Sequence, residues 1–562
     1  YNKGLTFQER NYNSDGTVNV GVFTNNSNIY LLSENTLNYV KAFKDHDVTA
    51  LVGVTTERTT VNKEQTTGLD FPSDKIRTLA SASQIDRTGT FGTRSEIGLN
   101  SVLGRLTYAF QSKYLFSASI RRDGSSYFGP GNKWGTFPAV SGGWVVSKEK
   151  FLRNVKAINN LKIRASYGAT GNNRIVENAW INLLYGSNYP FGLATGSSNP
   201  GLVSSSSTLA NPNITWERTF QKNLGLDLSV AKNRINLSVD VYDSKTEKLL
   251  LLQSIMGFTG AQQYWNNLGS LNNKGFEIDL STRNVQTKNF RWTTTANLSH
   301  NENKILELGT EAYLLNQGER SEVYINQVGR PLVEYLGFKT DGVWLSQAEI
   351  DNAIAHGMTS SLSSVFTPGG LKIVDTNGDN KIDNNDRVVL GNPYPAFIWG
   401  ITNNIGYKGF ELSFFLQGSH GGKLINGDPN YNESGRTITT YNSRRWVSAM
   451  FPGDGKTPVS RGTGFNWMLT DYVVEDASYW SLREVNISYA FSPRLLNQLK
   501  VKGLRAYAAA QNIYFHMPNS YRSLNPEARF QNGPYSSVLI DGYQRGAYPI
   551  PKTMVIGVDI NF

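Results

Sequence analysis

The stretch that most constrains this chain is its last, Lys552-Thr-Met-Val-Ile-Gly-Val-Asp-Ile-Asn-Phe562. Met554, Ile556, Val558, Ile560 and Phe562 fall on one face of a strand, and Val555, Gly557, Asp559 and Asn561 on the other. An apolar face backed by a small or polar one is the period-two signature of a strand. It fits a half-buried strand of a soluble sandwich. It fits equally the closing strand of a transmembrane barrel, with apolar residues to lipid and polar ones to the lumen.

The same alternation recurs along the chain. Val102, Gly104, Leu106, Tyr108 and Phe110 are followed, after Gln111-Ser-Lys113, by Tyr114, Phe116, Ala118 and Ile120. Leu161, Ile163, Ala165 and Tyr167 alternate with Lys162, Arg164 and Ser166. Leu224 to Val230 leads through Ala231-Lys-Asn-Arg234 to Ile235, Leu237, Val239 and Val241. Phe276 to Leu280, Phe290 to Leu298, Phe410 to Leu416 and Val485 to Phe491 repeat it.

Connection lengths separate the two readings. Tight turns sit near 43–45, 111–113, 231–234, 284–289 and 406–409, with moderate ones near 147–158 and 491–502. Between them lie long Gly/Ser/Asn/Pro-rich stretches, about 64–95, 123–135, 170–212, 248–266, 301–395, 420–475 and 515–551. Counting strands back from Phe562 puts every long stretch on one side. A soluble sandwich has mostly short connections at both ends, whereas outer-membrane barrels have short periplasmic turns and long external loops. The expected fold is therefore all-β, a transmembrane antiparallel barrel with roughly 16 strands in this chain, the first near Leu5–Asn11.

Composition agrees. Mean hydropathy is −0.37, and no run approaches the ~18 apolar residues of a membrane helix, while a barrel strand needs only about 9–11 alternating residues. There is no Cys, hence no disulfide framework and no thiol chemistry. The net charge of +10 raises the question of nucleic acid. Lys and Arg are spread evenly without a basic run, so a solvated surface is expected and no nucleic-acid partner.

Particular blocks carry a family resemblance. Arg121-Arg-Asp-Gly-Ser-Ser-Tyr-Phe-Gly-Pro-Gly-Asn-Lys-Trp-Gly-Thr-Phe-Pro-Ala-Val-Ser-Gly-Gly-Trp144 resembles the SusC/RagA-type TonB-dependent outer-membrane transporters, with Tyr127 where the family often has Arg. Leu161–Asn172, Asn211-Pro-Asn-Ile-Thr-Trp-Glu217, Asn223–Leu228, Asn273-Lys-Gly-Phe-Glu277 and Tyr479–Tyr489 match in order. Gly557-x-x-Ile560-x-Phe562 is similar to the signal read by barrel-insertion machinery, with Val555 where a polar residue is usual.

The resemblance implies a 22-stranded plugged barrel in the outer membrane of a Gram-negative bacterium, with its C-terminus periplasmic. It implies contact with TonB through an N-terminal segment, and a SusD-like lipoprotein on the outer face. Lipid and lipopolysaccharide would surround it, and the substrate would be an oligomeric nutrient, glycan or peptide. Nothing in 1–562 matches a plug, and Tyr1-Asn-Lys-Gly-Leu5 reads as a mid-chain beginning, so the expectation is the barrel portion of a longer transporter. Two alternatives stay open: a plugless barrel acting as a passive or secretion conduit, and a soluble β-rich protein that binds surfaces through its loops.

Within the long stretch 301–395, Asp375-Thr-Asn-Gly-Asp-Asn-Lys-Ile-Asp-Asn-Asn-Asp386 has the oxygen spacing of an EF-hand-type loop. Asp375, Asn377, Asp379, Asp383 and Asp386 take positions 1, 3, 5, 9 and 12, and the Lys381 carbonyl takes position 7. The glycine stands at position 4 (Gly378), and the last ligand is Asp, as in dockerin-type loops. The bland reading is an Asn-Gly-Asp turn with solvated acids. The expectation is a structural Ca2+, with Ile382 packing inward.

Enzymatic patterns are missing. There is no Gly-x-Ser-x-Gly, and Gly455-Lys-Thr457 lacks the earlier P-loop glycine. His46, His300, His356, His420 and His516 lack ligand spacing and read as lone surface or lumen residues. No enzymatic activity is expected. Trp180, Tyr185, Tyr189, Trp265, Trp446 and Trp467 could stack on a ligand or pack the loops, so no substrate-binding residue is assigned.

Overall fold

The computed structural model describes the chain apart from residues 1, 10–17, 191–197, 205–207, 256–260, 319–320, 364, 428–443, 460–467 and 530–536. Among the described residues, sixteen strands order in one antiparallel sheet, each beside its sequence neighbour once loop insertions are set aside. It begins with β1 (Asn2–Gln8), β2 (Val20–Phe43), β3 (His46–Leu69) and β4 (Gln84–Phe110) and ends with Gly503–His516 and Thr553–Asn561. The strand number and the C-terminal strand agree with the alternation. By contacts the chain divides into two compact units. One is Tyr1–Gly142 with Tyr167–Phe220 and Glu247–Leu268; the other is Gly143–Ser166 with Gln221–Thr246 and Gly269–Phe562.

The apolar faces of these strands are not covered. Leu37 is 75% exposed, Ile556 87% and Phe562 82%. Val52, Val54, Val102, Leu106, Phe116, Ile120, Leu224, Val241 and Ile487 are exposed too. A sandwich would bury these side chains between two sheets. Left in water they would form a patch far larger than soluble proteins carry, so this face is built for hydrocarbon.

In the first unit the band's limits can be read from the register. Phe43, His46 and Phe110 pair across β2, β3 and β4 at the turn end. Along β3 and β4 the apolar residues run up to Val54 and Val102, beside Asn35 of β2, and the next row is Ser33, Thr56 and Asn100. That height matches the roughly 9–11 residues of a tilted membrane strand. Above it the same face becomes mixed: Leu31 and Ile29 stay exposed opposite Arg58 and Thr60, while Arg58 pairs with Glu96 at 2.5 Å, Asn62 Nδ2 donates to Ser27 Oγ at 3.2 Å, and Asn25 Nδ2 to Glu64 at 3.0 Å.

Here the structure departs from the sequence expectation. The stretch 64–95 is mostly strand, because β3 continues to Leu69 and β4 begins at Gln84. Above the band both faces meet water, so alternation vanishes while the Thr-rich sequence keeps its preference for strand.

The tight turns form as expected, by left-handed residues. Lys408 (φ 45°) and Gly409 (φ 91°) make a two-residue loop between the paired Tyr407 and Phe410, the geometry that matches strand twist. Aromatic rings gather at the band's edges, as interfacial girdles do. At the short-turn edge His46 stacks on Phe43 with centroids 4.9 Å apart and accepts or donates to Tyr108 Oη at 2.7 Å. In the second unit Phe410 meets Tyr489 at 4.4 Å. At the opposite edge His300 contacts Phe276 and Phe397, His420 stacks on Trp399, and His516 contacts Trp480. Four of the five histidines thus stand at the surface among aromatic rings of the girdles. The fifth, His356, caps the helix Gln347–Ala355.

Gly557 lies opposite Tyr507 on the polar face, and a Cβ there would overlap the Tyr507 ring. Gly557→Val is expected to cost about 1–3 kcal/mol, the usual penalty of overpacking. A lowered urea midpoint of the heat-modifiable folded band in liposomes would report it, and adding Tyr507→Ala would restore the midpoint. An unchanged midpoint in the single variant would refute the packing role.

Candidate functional site

Among the described residues, several long connections carry strands and buried cores of their own. In the second unit three of them build one body with a shared core. The stretch 301–395 contributes the strands Tyr313–Gln317, Val323–Gln327, Glu334–Gly337 and Val388–Gly391 as one sheet. Lys423–Asn426 pairs antiparallel with Val474–Asp476 and parallel with Tyr543–Gln544. Tyr324, Tyr335 and Leu390 from the first stretch pack with Ile425, Leu469 and Val473 from the second and Tyr543 from the third, all buried.

Polar ties lock the three stretches together. Arg522 Nε donates to Glu475 Oε1 at 2.7 Å, and Asn426 Nδ2 donates to the same oxygen at 2.9 Å. The Arg522 guanidinium lies over the Tyr472 ring and donates to the Tyr472 carbonyl. Tyr335 Oη donates to the Lys423 carbonyl at 2.9 Å. The body is anchored to the strand Phe290–Glu307, where Ile305 N donates to Arg330 O and Gly329 N to Ile305 O. Burial of Glu475 and Glu334 is balanced by Arg522 and Arg330, as buried carboxylates require.

The first unit has a smaller counterpart, to which residues of three motif blocks contribute. Phe128, Phe137, Ile214, Trp216 and Leu250 form a buried cluster, with Leu99, Ile175, Trp180 and Trp265 packed against it. Trp216 Nε1 donates to Lys133 O at 2.8 Å, and Thr215 and Asn267 exchange two hydrogen bonds of 2.8 Å. Glu217 accepts from Leu250 N and from Asn172 Nδ2. The blocks 121–144, 161–172 and 211–217 thus each supply a residue to this packed cluster or to the hydrogen bonds around it.

Loop aromatics divide accordingly. Trp180 and Trp265 belong to this cluster. Trp446 packs on Val343 and Leu371 and donates to Leu345 O at 3.0 Å. These three serve packing. Tyr185 and Tyr189 lie in the strand Leu184–Pro190, and Trp467 lies outside the described residues.

On the polar face of the wall two charged constellations stand out. Arg164 donates to both oxygens of Asp227 at 2.8 and 3.0 Å and to both of Asp240 at 3.0 and 2.9 Å, and Ser238 Oγ donates to Asp227 at 3.0 Å. Gly225 makes the room: a Cβ there would stand 2.6 Å from the guanidinium carbon. The second is Glu527, brought by the stretch 515–551 to the wall. Tyr479 Oη and Arg483 donate to it, as does Gln417 Nε2 at 3.3 Å. Arg483 also lies over Phe515 and sits at a bulge in the pairing of its strand. Sequence reasoning missed this clamp, and only the place of Arg483 inside a motif block hinted at it. Neither constellation pairs an acid with a base poised for proton transfer; in each, charged side chains tie neighbouring segments together.

The loop 375–386 is ordered by its own backbone. Asp375 accepts from Gly378 N at 2.7 Å and Asn380 N at 2.8 Å, Asn377 from Asp379 N at 3.0 Å, and Asp379 from Lys381 N at 2.8 Å. Asp386 is fully buried and accepts from Thr376 N and Asp383 N, each at 2.8 Å. Asp383 accepts from Asn385 N at 2.8 Å and pairs with Lys381 Nζ at 2.7 Å. Lys381 Nζ holds Asp383 below the usual carboxylate range, and Asp383 in turn raises Lys381. At Asp375 desolvation pushes upward but is outweighed by the N–H groups of Asn380, Gly378 and Asp379, so it too is lowered. Ile382 is fully buried against Phe338, Val365 and Ile373, as its position predicts. Among the described residues no group of three or more His, Asp or Glu side chains stands in a metal-holding arrangement.

Arg164→Met would leave Asp227 and Asp240 facing each other without their cation. The three groups are partly hydrated, with side chains 24–31% exposed. The expected loss is therefore about 2 kcal/mol, below the ~3–5 kcal/mol of a fully buried pair. Urea unfolding of the reconstituted barrel checks it, and Asp240→Asn in the same background should recover part of the loss.

Residues 1–349 match the family described as TonB dependent receptor-like, beta-barrel. TonB-dependent receptor P39 of Formosa agariphila is 32% identical over 94% of this chain and 53% of its own length. TonB-dependent receptor SusC of Bacteroides thetaiotaomicron is 28% identical over 83% of this chain and 44% of its own. The chain thus spans about half the length of these relatives. The RagAB peptide transporter structure superimposes with a TM-score of 0.81 at 21% identity, covering 99% of this chain and 58% of that one, which shows a common fold. With its exposed apolar band and its girdles, the chain belongs to the TonB-dependent receptor-like β-barrel family of the Gram-negative outer membrane.

Proposed function

We propose that this chain forms the wall and mouth of an outer-membrane importer for an oligomeric nutrient, a glycan or a peptide. TonB energises it through a segment beyond these residues, and a SusD-like lipoprotein covers the mouth. The short turns face the periplasm and the packed loop bodies face outward. The observation that supports this best is the joining of three long stretches into one cored body at one end of the wall. Such a platform suits capture of a large ligand and seating of a partner better than free loops would. The kinship with SusC and the likeness to a peptide transporter supply the two substrate classes.

The test is growth of a deletion strain on oligopeptides or on single glycans as sole nutrient, with copurification of the tagged receptor. The proposal expects loss of growth on one nutrient class, the same loss without TonB, and a lipoprotein in the purified complex. Growth unchanged on every nutrient would refute import. Uptake that persists without TonB would favour a passive conduit.

We further propose that the loop 375–386 takes Ca2+ as a structural ion. Asn380 holds φ 62° at the sixth loop position, where EF-hand-type loops need a left-handed residue. Ile382 is buried at the eighth. The ion must displace Lys381 from Asp383, so Lys381→Met should bind more tightly than the parent loop. Calorimetric titration of the detergent-solubilised receptor with Ca2+ reads both. No heat at millimolar Ca2+ in either protein would overturn the proposal.

A further inference from the structure

We propose that a groove at the long-loop edge of the apolar band holds the headgroup of a phosphorylated, sugar-based lipid of the outer leaflet, the chemistry of lipid A. The inference rests on the reading above that the loop bodies face outward. The groove, about 470 Å3, lies in the second unit across four strands that are neighbours in the sheet. Its floor is the last apolar row of the band, Leu224, Val241 and Phe276, ending at His300. One alternation step further, on the same face, the row becomes Lys222, Asp243, Lys274 and Glu302. Each charged residue is two positions beyond its apolar partner, so acyl-chain level passes to headgroup level within one step.

This row is local. In β2, β3 and β4 the first row beyond the band is Ser33, Thr56 and Asn100, which carry no charge. Among the described residues Lys222 and Lys274 make no ion pair, although Lys274 stands opposite Glu302 in the ladder, while Asp243 already accepts from Asn272 Nδ2 at 2.5 Å. Two unpaired ammonium groups at headgroup depth attract phosphate. The carboxylates between them would repel a bare phosphodiester, but they accept hydrogen bonds from the hydroxyl and amide groups of a sugar. The mixed rim therefore favours a phosphorylated sugar over a glycerophospholipid.

The test is native mass spectrometry of the full-length receptor, delipidated in detergent and offered bisphosphorylated lipid A or phosphatidylglycerol separately. The parent protein is expected to retain lipid A in preference to phosphatidylglycerol. The Lys222→Gln/Lys274→Gln variant should retain about tenfold less lipid A, the order expected for removing two cations from a phosphate. Lys41→Gln, at the short-turn edge of the lipid face, should behave as the parent. Equal lipid A retention by the double variant, or equal retention of phosphatidylglycerol by the parent, overturns the site.

Orientation is read separately. The chain has no Cys, so Glu311→Cys on the long-loop side gives one reporter for an impermeant maleimide. Labelling of intact cells supports the outward reading. Labelling only after lysis overturns that reading, and with it the leaflet named here, whatever the lipid retention.

Discussion

A backbone in hydrocarbon has no water to satisfy its N–H and C=O groups, and the rest of this structure depends on that constraint. The wall answers it with a continuous antiparallel ladder. Because lipid is the solvent on one side, the side chains there are apolar although nothing in the protein covers them. The same rule fixes the band's height, its aromatic edges and the abrupt change of character above Ser33, Thr56 and Asn100.

Once lipid carries the apolar face, the protein's own cores move elsewhere. They lie in the loop bodies, around Tyr324 and Tyr335 in one unit and around Phe128 and Trp216 in the other. Several motif glycines sit where the wall needs space: Gly225 for the Arg164 guanidinium, Gly275 for Tyr242, Gly557 for Tyr507. The short blocks that mark the family are in this sense packing instructions, and they say little about cargo.

The wall was legible in the sequence because alternation is a local signal. Met554 to Phe562, the tight turn at Lys408 and the strand number all follow from neighbours in the chain. The loop bodies were not legible, since their cores assemble residues as distant as Tyr324 and Tyr543 with no shared period. The upper parts of β3 and β4 escaped for the opposite reason: wet on both faces, they carry no pattern. The calcium spacing could be read, and the burial of Ile382 agrees with it. That Lys381 would occupy Asp383 could not be read, because it is a choice of rotamer. The clamp on Glu527 joins residues from two strands and a distant connection, and no spacing announces it.

The strands β2, β3 and β4 rise well beyond the band, from Ser33 to Val20 along β2, roughly 40 Å of ladder at 3.3 Å per residue. It is paired along its length except beside Gln65, where residues 87–90 of β4 have no partner on β3. Mechanically it is a stiff lever: a load at its tip is passed to the membrane-embedded rungs as torque rather than absorbed by bending.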